Sequence, residues 1–70
     1  MKEKEINKRV GNRLRYFRKA SGRSQKELSG VLGVSFQQVQ KYETGVNRLS
    51  AGKLYICAQY FDIPVEKFFK

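Results

Sequence analysis

The sequence has no histidine, a single cysteine and few acidic residues. Without histidine it lacks the commonest general base and the commonest zinc ligand. Cys57 stands alone, so neither an internal disulfide nor a Cys-x-x-Cys metal pair can form. A glycine-rich phosphate loop is also absent. Nothing is left to organise catalysis, so a non-enzyme with no metal and no cofactor is expected. No apolar run approaches the ~18 residues that span a bilayer. The opening residues, MKEKEINKRV, lack the apolar core of a signal peptide. A cytoplasmic protein with a free thiol fits these absences.

Basic residues are what the chain has in excess. Lys and Arg number 15 against 6 Asp and Glu, a formal net charge of +9 over 70 residues. Such a field favours polyanions: DNA, RNA or an anionic membrane surface. A chain this short is expected to form one domain over 1–70. It would bury only roughly 60% of its unfolded surface, so dimerisation would help it.

No strand pattern, repeat or low-complexity linker is evident, and the apolar spacing is helical throughout. Residues 1–5 carry no apolar periodicity and are expected to fray. From Ile6, the positions Ile6, Val10, Leu14 and Phe17 mark one helical face, with Lys8, Arg9, Arg13, Arg15 and Lys19 opposite. Gly22 is placed to take a left-handed conformation and stop this helix. Ser24 and Glu27 have the spacing of a capping box that opens a second helix. Leu28 and Leu32 form its buried stripe, with Val31 beside it. Gly30 inside this helix costs roughly 1 kcal/mol relative to Ala, which close packing on another helix would explain. Gly33 stops the second helix, Ser35 caps a third, and Gly45 stops the third. Ser50 caps a fourth helix that buries Leu54, Cys57, Ala58 and Phe61. Pro64 suits the first turn of a fifth, 64–69, that buries Val65 and Phe68.

The stretch 24–45, SQKELSGVLGVSFQQVQKYETG, thus holds two short amphipathic runs around Gly33-Val34-Ser35. Each is too short to be stable alone and must bury its apolar face. A tight turn between two such runs is the pattern of a helix-turn-helix. Val39 and Tyr42 face inward from the second run. Phe36, Gln37, Gln38, Gln40 and Lys41 face out, and Gln and Lys can hydrogen-bond base edges and phosphates.

Over roughly residues 9–69 the chain resembles the lambda-repressor-like, Cro/C1-type helix-turn-helix family. Arg18, Ser24-Gln25, Leu28, Gly33-Val34-Ser35, Val39, Glu43, Gly45, Leu54, Ala58 and Ile63 carry the likeness in order and spacing. Ser29 departs from it, standing where the family usually has Ala, as do Tyr42 and the exposed Phe36. The resemblance implies an all-α, five-helix fold with a recognition helix at about 35–44. It also implies base contacts from Phe36, Gln37, Gln38 and Lys41. Physically, a glutamine amide can pair with an adenine edge, a lysine can donate to guanine, and Phe36 can pack on a thymine methyl.

By the same resemblance Gln25 meets a phosphate, and Arg18 and Glu43 form an ion pair that sets the angle of the recognition helix. Helix N-termini favour phosphate on physical grounds as well. Arg23, Ser35, Gln40, Asn47, Arg48 and Lys53 are further phosphate candidates and would supply sequence-independent affinity. Small members of the family commonly dimerise through their last helices. Tyr55, Ile56, Tyr60 and Phe69 exceed what the core needs there and are the candidate dimer face.

These residues point to a sequence-specific transcriptional regulator, a repressor that occludes promoter DNA as a homodimer on a two-fold site. The partner is double-stranded DNA. The resemblance implies a bacterial or phage origin and a nucleoid association when bound. The competing reading is a protein-interaction or antitoxin-type module with weak or nonspecific DNA binding, which Phe36 keeps open; any protein partner is unidentified. A membrane-surface peptide fails, because the apolar positions are spread over five capped helices and not along one.

Overall fold

Acidic residues early and basic residues late give the first helix charges that match its macrodipole. In a computed structural model describing residues 1–70, this helix, α1, spans Glu3–Ala20, with Glu3 and Glu5 in its first turn and Arg18 and Lys19 in its last. Glu3 to Glu5 are therefore helical, where the lack of apolar periodicity predicts fraying. Helix α2 is Gln25–Leu32, α3 is Phe36–Glu43 and α4 is Ala51–Phe61. The fifth element is a 3-10 turn, Val65–Phe68, and not a fifth α-helix.

Three serines start the three later helices. Ser24 Oγ accepts from Glu27 N at 3.0 Å while Ser24 N donates to Glu27 Oε1 at 3.0 Å, which completes a capping box. Ser35 Oγ accepts from Gln38 N at 3.1 Å, and Ser50 Oγ from Lys53 N at 3.2 Å. That backbone donation to Glu27 is the largest cause holding its carboxyl below the usual carboxylate range, with Arg23 helping. Gly22, Gly33 and Gly45 all take positive φ, as the expected helix stops do, and Asp62 takes φ 55° at the end of α4. At Gly33 this left-handed residue, at φ 68°, turns the chain from α2 into α3.

The core joins all five elements. Leu14, Leu28, Val39, Cys57 and Phe68 are fully buried, with Val10, Leu32, Tyr42 and Ala58 around them. Helix α3 packs on both α1 and α2. The crossing with α1 is close at Gly11, where a Cβ would overlap the Tyr42 carbonyl oxygen. That contact fixes the far end of α3 against α1.

Three packing expectations are corrected. Val65 is exposed, because a 3-10 turn of four residues brings only Phe68 to the core. Val31 is exposed at the edge of the α2 stripe. Gly30 has open space where its Cβ would be, so no close helix packing accounts for it. Ser29 is buried, and its hydroxyl donates back to the Lys26 carbonyl at 2.6 Å.

Candidate nucleic-acid interface

Helix α3 alternates between anchoring and exposed side chains. Val39, Tyr42 and Glu43 are buried, while Phe36, Gln37, Gln40 and Lys41 face solvent and Gln38 is half-buried. Phe36 is 44% exposed, a large apolar surface at the first turn of a helix. Gln38 Nε2 donates to Asn47 Oδ1 at 3.2 Å, so its amide leans toward the loop after α3. Its Oε1 and second Nε2 hydrogen stay free. Gln37 and Lys41, one turn apart, form no side-chain hydrogen bond with the protein.

A buried ionic network ties this helix to α1 and α2. Arg18 Nε donates to Glu43 Oε2 at 2.6 Å and Arg18 Nη2 to Glu43 Oε1 at 3.2 Å, a two-point contact between α1 and α3. Arg18 Nη1 donates to the Arg23 carbonyl at 2.9 Å, which adds the loop before α2. Gln25 Nε2 donates to Glu43 Oε1 at 3.0 Å, which adds the start of α2. Glu43 thus holds three segments, and both of its oxygens are satisfied. No buried side-chain nitrogen or oxygen lacks a partner. Gln25 keeps its second amide hydrogen for an outside acceptor.

Several of the basic candidates already have acceptors within the protein. Arg48 Nη1 pairs with Glu3 Oε2 at 2.7 Å across an exposed gap. Arg23 pairs with Glu27 at 3.6 Å and lies 5.6 Å from the Tyr60 ring centre. Lys53 Nζ donates to the Leu32 carbonyl at 3.1 Å and so caps the C-terminus of α2. By contrast Arg15 joins no ion pair; with Gln25, Gln40, Glu43 and Thr44 it lines a notch that holds no hydrophobic residue. In the sequence Arg15 is marked only as part of the basic face of α1. Its position three residues before Arg18 was the available signal, since that spacing puts both on one side of a helix.

The candidate dimer residues do not form one cluster. Tyr55 lines an apolar cleft with Ala58, Ile63, Pro64 and Val65, and Gln59 Nε2 donates to its hydroxyl at 3.3 Å. Phe69 lines a different cleft, with Ile6, Leu49 and Leu54. Tyr60 is half-buried against Phe61, with ring centres 5.1 Å apart, and Ile56 is exposed. No group of His, Cys, Asp and Glu could hold a metal ion. No helix is long and apolar enough to cross a membrane.

Residues 14–68, which hold the end of α1, the helix pair α2–α3, α4 and the closing turn, match the helix-turn-helix family model. The chain belongs to the helix-turn-helix family. It is 44% identical over 69 residues to an HTH-type transcriptional regulator of Sinorhizobium medicae, covering 99% of this chain and 50% of that protein. The restriction-modification controller protein C.AhdI of Aeromonas hydrophila superimposes with a TM-score of 0.80 at 29% identity, over 93% of this chain and 97% of its own. The clp gene regulator ClgR of C. glutamicum shares the fold, with a TM-score of 0.82 at 24% identity, over 90% of this chain and 82% of its own. The helix-turn-helix chain spans about half the length of the curated relative it matches. The helix-turn-helix regulators are a DNA-binding class and not enzymes.

Proposed function

We propose that this helix-turn-helix chain binds double-stranded DNA in a sequence-specific way and represses transcription by occupying promoter DNA. One observation carries the reading: α3 is buried through Val39, Tyr42 and Glu43 while Phe36, Gln37 and Lys41 stand in solvent. A major groove accepts one helix so presented. In that pose Gln37 and Gln38 pair with adenine edges, Lys41 donates to guanine and Phe36 packs on a thymine methyl. Gln40 lies on α3 and Gln25, Ser35 and Asn47 border it; with Arg23, Arg48 and Lys53 they take backbone phosphates. The net charge of +9 supports a strong sequence-independent component.

The regulator acts as a homodimer. Tyr55, Ile56 and Tyr60 on α4, with Phe69 just past the closing turn, are the candidate face, and Tyr55, Ile56 and Phe69 are exposed. Joining two copies through α4 covers Tyr55 and Ile56 and pairs two recognition helices.

Selection from random-sequence duplex DNA, followed by sequencing, tests the reading. A two-fold motif with half-sites about one helical turn apart is expected. Absence of an enriched motif, with binding lost at modest salt, would instead mark an interaction module whose contact residue is Phe36.

A further inference from the structure

We propose that the notch between α1, α2 and α3 is a seat for one DNA backbone phosphate, with Arg15 as its cationic ligand. The inference deepens the DNA-binding reading above and rests on it. The notch is open, about 320 Å³, and none of its lining residues is hydrophobic. Its one acid, Glu43, is spent: Arg18 and Gln25 occupy both carboxylate oxygens at 2.6 to 3.2 Å. Arg18 also matches its charge at that distance. Arg15 is therefore the unmatched charge of the notch, since it takes part in no ion pair.

The remaining polar groups are of the kind an anion needs. Gln25 has one amide hydrogen left after its bond to Glu43. Gln40 engages Thr44 only through its backbone carbonyl, which leaves its side-chain amide free to donate. A guanidinium and two amide donors on the lining of one notch suit a phosphodiester oxygen. The position fits as well. Gln40 lies on the exposed side of α3 and Gln25 opens α2, so the notch borders the recognition helix where a groove wall would run. Arg23 and Arg48 each face a carboxylate within the protein and Lys53 a carbonyl, whereas Arg15 has no ion-pair partner.

Salt dependence of binding to a short mixed-sequence duplex tests this. Wild type, Arg15→Gln and Arg9→Gln are compared. Arg9 bonds the Phe69 carbonyl at 3.3 Å on the side of α1 that meets the C-terminal turn, so its variant removes the same charge elsewhere. Both substitutions keep a good helix former in α1. Arg15→Gln should lower the slope of log K against log salt by about 0.9, the value of one phosphate contact, with an equal loss on every sequence. Arg9→Gln should leave the slope at its wild-type value. An unchanged slope in Arg15→Gln, or equal falls in both variants, overturns the seat. A flat wild-type slope would overturn the DNA-binding reading itself.

Discussion

Arg18 and Glu43, 25 residues apart in sequence, meet at 2.6 Å inside the protein, and Glu43 is only 3% exposed. Their contact joins α1 to the end of α3. The same carboxylate takes Gln25 from α2. One buried acid thus ties α3 to both α1 and α2. Removing one partner of such a pair strands the other charge in the interior.

Glu43→Ala should accordingly cost about 3–5 kcal/mol, and it should weaken DNA binding wherever it still folds. Replacing both partners, Arg18→Met with Glu43→Leu, should recover much of the melting temperature, since no charge is then stranded. Thermal melting of the single and double variants decides. Wild-type melting and affinity in Glu43→Ala would refute a positioning role for the pair.

Two glycines separate close packing from mere helix weakness. Gly11→Ala should destabilise by upwards of about 2 kcal/mol, because the added methyl meets the Tyr42 carbonyl and backbone cannot move aside cheaply. Gly30→Ala should stabilise by about 1 kcal/mol, because it improves helix propensity in open space. Denaturant titrations of both variants check the opposite signs.

Cys57 gives a pH-dependent signature. Burial pushes its thiol up to about 12, against a partly opposing effect of Lys53. In the unfolded chain the thiol ionises near its ordinary value, so between there and 12 the unfolded state loses the proton first. Stability should therefore fall as pH rises through that window, and Cys57→Ala should flatten that part of the decline. A thiol reagent should label Cys57 in denaturant and not in the native protein. Rapid native labelling would contradict its burial.

Arg48 and Glu3 form an exposed pair at 2.7 Å, worth at most about 1 kcal/mol to stability. Glu3→Gln should leave melting nearly unchanged and raise DNA affinity, by freeing Arg48 and removing a negative charge. Arg48→Ala should weaken all sequences about equally. Binding isotherms on several duplexes test both. Lower affinity in Glu3→Gln would show that the pair holds Arg48 in its binding pose.

Local rules account for what could be read from the chain alone. The spacing of Val10, Leu14 and Phe17 fixes the buried face of α1. Ser24 with Glu27 fixes the start of α2, and Gly33 its end. What stayed hidden depends on residues distant in sequence. Gly11 matters only because Tyr42 crosses it. Arg48 and Lys53 look like free cations until Glu3 and the Leu32 carbonyl are placed beside them. Arg15 gains interest only when Gln25 and Gln40 converge on it. The closing turn defeated periodicity for another reason: a 3-10 turn rotates Val65 out and leaves Phe68 alone in the core.

The central claim is that exposed side chains of α3 read base sequence. Parallel selection from random DNA with wild type and Gln37→Ala tests it most directly. The account predicts a two-fold motif for wild type. In the variant one position of each half-site should lose its preference, by about 1–3 kcal/mol, while the others persist. An identical motif for both proteins, or no motif for wild type, would contradict it.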